Sequence, residues 1–281
     1  MDSKEFGLVA AQQLLQMQDL HYGFWETGEA PDLKNFQAAQ DRHSEFLFSH
    51  IQPYVKDKSK DKLIDIGCGI GITTQKLLAQ GYRVDGLVPY AWMAEYARKN
   101  AKAYADATKG HIFECGFEDL PLAELKEKYA VAFFSESYQY VDLQKGFDML
   151  RQILNKDGHV IIFDFFKRDN VEGVSPIGGG YSLNLFYDTV KANGFEIVTD
   201  IDVTDNLSPN IKLVNDIVNQ RLLPFGQTLD AFLTTKLKWL YKLIKRAMKK
   251  KIDKGLFKYK NRTADSFAKY KTYRLIVLKQ A

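Results

Sequence analysis

Cysteine is scarce in this chain: Cys68 and Cys115 are the only two among 281 residues. Two thiols without metal-ligand spacing build neither a disulfide scaffold nor a zinc site, so no metal is expected, and they fit a reducing compartment. No stretch approaches the roughly 20 apolar residues that cross a bilayer. The first residues, Met1 to Glu5, have no basic patch leading into an apolar run. No signal peptide is expected, and a cytoplasmic location is. Internal repeats and low-complexity tracts are missing as well. Acid is nearly missing from one segment: residues 236–262 hold twelve Lys or Arg and a single carboxylate, Asp253. The chain carries +4 overall, so this +11 segment leaves −7 on the rest. What is present is a 46% hydrophobic chain, enough for one large domain or a core with an insertion.

Apolar periodicity predicts a helix over residues 3–19, with Phe6, Val9, Ala10, Leu14 and Leu15 near helical spacing. An aromatic loop, His21-Tyr22-Gly23-Phe24-Trp25, leads to a second helix over about 32–56. From there strand-like and helical runs alternate. Strands are expected at Leu63–Ile66, Tyr82–Val88, His111–Cys115, Val131–Ser135 and His159–Phe165, and helices at 72–80, 91–107, 122–128 and 142–154. Such alternation builds βαβ units and a parallel sheet covered on both faces. Gly158 suits a left-handed position after a helix. A helix over 182–193 and a strand at Phe195–Val203 follow, and a last strand, Tyr273–Leu278, is expected at the sheet edge. Between these two strands lie about 65 residues of helical pattern, starting at Ser208-Pro209 and broken at Pro224-Phe225-Gly226. They read as a cap beside the C-terminal edge of the sheet, where ligands bind in open α/β folds.

The stretch that carries most chemistry is Lys62 to Gly71. A short apolar strand ends in Asp65, and Gly67, Gly69 and Gly71 follow at every second position before a helix opens at Ile72. A strand running through glycines into a helix lets a ligand lie against bare backbone. Ile72 stands where a dinucleotide fingerprint requires its third glycine, and Val88 stands where a ribose-binding acid ends the second strand. Both substitutions argue against a nicotinamide. Asp85 lies inside that strand, on the other face.

This G-x-G-x-G form, with an acid two residues before the first glycine, resembles motif I of class I S-adenosylmethionine-dependent methyltransferases. Further stretches resemble the cyclopropane fatty-acid synthase-like and small-molecule methyltransferase branch. They are Gly23-Phe24-Trp25-Glu26 with Gln37-Ala38-Ala39-Gln40, Gly116-Phe117-Glu118-Asp119, Ser135 to Val141, and Leu154 to Val160. The resemblance implies an α/β, Rossmann-like seven-stranded methyltransferase sheet with N-terminal helices and a helical cap between the last two strands. The expected divisions are an N-terminal helical segment (1–60), a cofactor-binding core (61–205), the cap (206–262) and the final strand (263–281).

Carried over residue by residue, the resemblance implies S-adenosylmethionine as cofactor. Asp65, Gly67, Cys68 and Gly69 would border its amino-acid part, and Val88 and Pro89 its ribose. Phe117 would stack on the adenine and Glu118 would accept from its exocyclic amine. Ser135 would lie beneath the adenosyl group and Phe24 would cover the sulfonium. Each has a plainer reading: the glycines as a tight turn, Phe117 and Phe24 as core, Glu118 as a solvated carboxylate.

Methyl transfer from a sulfonium is an in-line displacement in which the protein supplies alignment and dryness. His21 is the first candidate for a general base, with packing or capping as its bland alternative, and Glu136 and Tyr140 are further catalytic candidates. Tyr22, Phe24 and Tyr138 complete the expected substrate mouth. Gln139-Tyr140 replaces the Glu-His pair of the cyclopropane synthases, which argues for simple methylation. The expected activity is methylation of a small, partly apolar metabolite. A lipid-modifying enzyme at a membrane surface and a non-catalytic cofactor-binding descendant are the alternatives. Lys236–Lys254 reads either as a contact for an anionic membrane or ligand, or as a solvated face. No nucleic-acid motif is present. The oligomeric state and the acceptor atom stay open.

Overall fold

A computed structural model describes residues 5, 6, 9, 12, 13, 17–19, 21–104, 110–236 and 262–281. Most of the expected helix over 3–19 lies outside them, though residues 5, 6, 9, 12 and 13 are helical. The basic run beyond Lys236 also lies outside, up to residue 261.

The elements are α1 (Leu33–Ile51), β1 (Lys62–Ile66), α2 (Ile72–Ala79), β2 (Arg83–Leu87), α3 (Ala91–Ala101), β3 (Ile112–Phe113), β4 (Tyr129–Ser135), α4 (Leu143–Ile153), β5 (Leu154–Lys167), α5 (Leu183–Ala192), β6 (Phe195–Asp202), α6 (Pro209–Ile217), α7 (Ala264–Tyr270) and β7 (Lys271–Gln280). The seven strands form one sheet in the order β3-β2-β1-β4-β5-β7-β6. The first five pair in parallel, whereas β7 runs antiparallel to both β5 and β6. The last strand is therefore not the edge. It slots between β5 and β6, and its Lys271–Leu278 stretch reads Lys-Thr-Tyr-Arg-Leu-Ile-Val-Leu because both of its neighbours and both faces are occupied.

Side chains alternate across the sheet. Ile64, Ile66, Phe134 and Ile162 pack on one face with Phe147, Leu150 and Phe186 of the helices. Leu63, Phe133, Ile161, Phe163 and Tyr273 pack on the other with Leu47, Leu77 and Phe267. Helix α1 starts at Asp32, whose carboxylate accepts from Lys34 N at 3.1 Å. It buries Phe36, Ala39, His43, Leu47 and Ile51, one stripe at helical spacing. Helix α4 is capped the same way by Asp142, which accepts from Lys145 N at 3.0 Å.

Three local expectations change. Residues 122–128 contain only a 3₁₀ turn, Leu122–Glu124. Pro121 and the short span before β4 leave no room for a full helix. Gly158 is not left-handed: α4 ends at Ile153 with Leu154 extended, and a Cβ at Gly158 would lie 2.9 Å from Asn155 O. Close approach, not backbone sign, requires that glycine. Pro224 does not break the cap helix either. The chain stays helical over 223–236 because a π turn at Val218–Leu222 widens the preceding turn, with Leu223 N bonded to Val218 O. A wide turn accommodates a ring that would otherwise clash with the carbonyl behind it.

Asp85 explains its own absence from the ligand edge. It is fully buried, with Lys62 Nζ and Tyr129 Oη each 2.7 Å from Oδ2 and His111 N donating to Oδ1 at 2.8 Å. Removing one partner of such a pair strands a buried charge. Lys62→Met is expected to destabilise the fold by about 3–5 kcal/mol in denaturant titrations. Combining it with Asp85→Leu should recover part of that loss.

Candidate active site

The chain leaves β1 towards β2 and β3 on one side, while β4 and β5 build the other. The crevice at the C-terminal ends of β1 and β4 is thus the switch point of the sheet, the place where such folds bind ligands. A cavity of about 660 Å³ opens there.

Its floor is the β1–α2 turn. The N–H groups of Gly67 and Cys68 both donate to Leu87 O, at 2.8 and 3.0 Å, which folds the turn against β2. Gly67 sits at φ +83°, and a Cβ there would meet Ser137 Cβ at 2.4 Å. Gly71 sits at φ +80° with Ala97 Cβ 2.9 Å from where its own Cβ would be. Only glycine satisfies either position. Asp65, 1% exposed, ends the strand beneath this floor and accepts from Thr74 Oγ1 at 2.7 Å. Burial pushes its carboxyl up to about 7, and the Thr74 hydrogen bond opposes that only in part.

Asp65, Gly67, Cys68 and Gly69 all line the cavity, as do Val88 and Pro89 along the β2 side. Phe117 and Glu118 line it from the 3₁₀ turn Phe117–Asp119, where Phe117 is buried edge-on to Phe134 and Glu118 Oε1 accepts from Asp142 N at 2.8 Å. Ser135 completes the wall, its Oγ buried with no hydrogen-bond partner. An orphaned hydroxyl above a cradle that a single Cβ would fill fits a ligand that packs on main chain and brings polar groups of its own. The Cys68 thiol is pushed up by burial, so it is no nucleophile.

Phe24 is not brought to the cavity wall. Its ring packs on Phe46, with centroids 4.9 Å apart. Tyr138 is also core, edge-on to Phe134 and Phe186. Tyr140, 81% exposed, stands at the cavity mouth.

His21 and Glu136 both line the cavity, but the geometry gives them different parts. His21 Nδ1 lies 2.8 Å from Tyr22 O, and Nε2 lies 3.0 Å from Asp19 Oδ2. Each nitrogen faces an oxygen, an arrangement that favours the protonated ring. Burial pulls its pKa down, yet the charge and hydrogen bond of Asp19 and the charge of Glu136 outweigh that and raise it. A ring held in that form has no lone pair to take a proton, which makes His21 the weaker of the two candidates for a general base. Glu136 does have such a site. Its backbone sits at φ 57°, in the left-handed region that is costly for a residue with a Cβ, with its N–H donating to Phe163 O at 2.9 Å. Its Oε1 accepts from Tyr22 N and Tyr273 Oη, each at 2.9 Å. Its Oε2 accepts no hydrogen bond from the described residues. Burial raises its pKa, against the lowering pull of His21, Tyr22 N–H and Tyr273.

Sequence reasoning missed Asp19, Thr73, Tyr90 and Ser137, which also line the cavity. Ser137 and Tyr90 directly follow recognised turns and were within reach. Asp19 sits before the aromatic loop with no motif around it.

Asp65 supplies a pH test. Its folded pKa is raised from 3.8 to about 7, so over that window the folded state keeps a proton that the unfolded chain has lost. Stability from this group falls as pH rises through the window. Asp65→Asn removes the effect. The variant's stability relative to wild type is expected to grow between pH 4 and 7 by up to about 1.4 kcal/mol per pH unit, then level off, in denaturant titrations across pH.

Comparison with known proteins agrees with this geometry. The family described as "Methyltransferase domain" matches residues 35–189. An "Uncharacterized methyltransferase" of Alkaliphilus oremlandii (strain OhILAs) is 26% identical over 157 residues, covering 54% of this chain and 69% of that protein. The fold is shared with geranyl diphosphate C-methyltransferase from Streptomyces coelicolor A3(2), solved with Mg2+, geranyl-S-thiolodiphosphate and S-adenosyl-L-homocysteine. The TM-score is 0.69 at 16% identity, over 97% of this chain and 92% of that one. It is shared too with StiE O-MT, at TM-score 0.62 and 16% identity, over 93% and 86% of the two chains. With its glycine floor and seven-stranded order, the chain belongs to the methyltransferase-domain family and is a class I S-adenosylmethionine-dependent methyltransferase.

Proposed function

We propose that this methyltransferase acts on a small, partly apolar acceptor whose attacking atom loses a proton, and that Glu136 takes that proton on Oε2. The observation that carries the reading is the asymmetry of the carboxylate in a residue lining the cavity: Oε1 is held by two donors while Oε2 accepts none from the described residues. Proton transfer by a positioned carboxylate gives typically 10²–10⁴-fold, and it needs that oxygen within reach of the acceptor. The raised pKa moves Glu136 closer to working pH, where a base is most effective.

S-adenosylmethionine supplies the methyl group. Gly67 and Gly69 would lie against its amino-acid part, Asp65 beside it, Val88 and Pro89 along the ribose, and Phe117 and Glu118 at the adenine. The acids around the crevice suit a ligand that is positively charged at sulfur. Tyr140 would contact the acceptor at the mouth. The likeness to both a C-methyltransferase and an O-MT leaves the acceptor atom to experiment.

A second contact is supported by the cap. The helix over 223–236 exposes Phe225, Leu229 and Phe232, 67%, 43% and 57% accessible, and the basic run of the sequence begins at Lys236. An apolar stripe leading into Lys and Arg suits an anionic lipid surface.

Incubation with methyl-labelled S-adenosylmethionine and a small-molecule cell extract is expected to yield a labelled low-molecular-weight product. Glu136→Gln is expected to lower its rate by about 10²–10³-fold while calorimetry shows unchanged cofactor affinity. Wild-type turnover in the variant would overturn the base assignment. Cosedimentation with phosphatidylserine vesicles is expected to weaken with added salt and in Phe225→Ser/Phe232→Ser. No association at low salt would end the lipid reading.

A further inference from the structure

Tyr273 lies on the final strand, far from every motif of the sequence, yet its phenol reaches the one carboxylate whose free oxygen the reaction would use. We propose that Tyr273 is a positioning residue, and that His43 behind it completes a donor chain from α1 through β7 to Glu136. The inference rests on the reading of Glu136 as proton acceptor.

The chain of contacts is direct. Tyr273 Oη donates to Glu136 Oε1 at 2.9 Å, whereas the alternative acceptor, Phe163 O, is 3.4 Å away. His43 Nε2 lies 3.4 Å from Tyr273 Oη and 3.9 Å from Glu136 Oε1. Both residues are sealed from solvent, at 1% exposure or less. The His43 ring is clamped between His21 and Phe163, each stacked at 4.3 Å between centroids. Nδ1 of His43 is buried without a hydrogen-bond partner. An orphaned acceptor is cheaper to bury than an orphaned donor, so the ring proton belongs on Nε2, facing the phenol. Burial, with the charges of His21 and Lys76, keeps this ring neutral.

The consequence is orientation. With Oε1 held by Tyr22 N–H and the phenol, Glu136 has one oxygen left, and rotation that would hide it breaks both bonds. Facing Glu136 from the surrounding elements are His21 and Asp19 of the N-terminal segment, His43 of α1, Asp164 of β5, Tyr22 and Tyr273. The largest pulls toward the ionised carboxylate come from His21, Tyr22 N–H and Tyr273. The phenol is the one among them that a single-atom deletion removes.

The test follows the Glu136 carboxyl by isotope-edited infrared titration, with Glu136→Gln subtracted to identify its band. Tyr273→Phe is expected to raise the titration midpoint by about one pH unit, the effect of losing one hydrogen bond to a charged group. His43→Asn is expected to move it the same way by less. Calorimetric affinity for S-adenosylmethionine should not change in either. A residue that merely packs would alter the melting temperature and leave the midpoint in place. An unshifted midpoint in the two folded variants overturns the proposal. The readout needs no turnover, so it separates from the Glu136→Gln rate. A shifted midpoint with undiminished turnover in Glu136→Gln would keep the anchoring and discard the proton-acceptor reading.

Discussion

The constraint on which the site depends is a crowding of carboxyl groups at low exposure. Asp19, Asp65, Glu118 and Glu136 line one crevice, and His21 is the one basic side chain among its lining residues. Asp164 lies just behind, buried, its carboxyl pushed up to about 7 by desolvation. Carboxylates in such surroundings take up protons or attract cations. A fold selected for stability alone would replace them with apolar groups. A cationic ligand would reverse part of that balance by favouring the ionised form of the acid nearest its charge. The glycine floor serves the same end. With no side chains at Gly67 and Gly69, a ligand on that floor would come close enough for short-range attraction to matter.

The cofactor side of this arrangement was legible because it is local. A strand, an acid, alternating glycines and a helix follow one another within Lys62–Leu78, and their backbone demands are written in residue type. The parallel core was legible too, since buried strands read as apolar runs. Features set by distant pairing were not. The position of β7 inside the sheet is decided by whether it or β6 covers β5, and both carry suitable patterns. Asp85 looked misplaced until Lys62, Tyr129 and the His111 amide converged on it from three elements. Pro224 signals a break unless one knows that a π turn precedes it.

The aromatic loop shows how such distant pairing builds the site. Asn210, at the start of α6, is 1% exposed and fully used. Its Oδ1 accepts from Gly23 N at 2.9 Å and Trp25 Nε1 at 3.0 Å, and its Nδ2 donates to Gly23 O and Leu207 O, each at 2.7 Å. Gly23 is pressed against α1, where a Cβ would lie 2.6 Å from Ala39 Cβ. One amide therefore ties the N-terminal segment to the cap, some 187 residues away in sequence. Phe24 and Trp25 act there as packing residues: Trp25 stacks on Phe36 beside Leu213 and Ile217. Their burial is what places His21 and Tyr22 at the crevice. From this loop it is His21 that lines the crevice, whereas Phe24 packs on Phe46.

The parts of His21 and Glu136 then follow from one electrostatic argument. An imidazole bounded by a carbonyl and a carboxylate is biased toward its charged form, which suits a positive neighbour better than a base. That charge faces Glu136, where it opposes the desolvation that would otherwise hold the carboxyl protonated. Tyr273 opposes it by hydrogen bonding from the other side. Burial alone would give an acid too weak to release its proton; full neutralisation would give a carboxylate too weak to take one. Held between the two, with Oε1 bound and Oε2 accepting nothing from the described residues, Glu136 has the setting that the proposed proton acceptor requires.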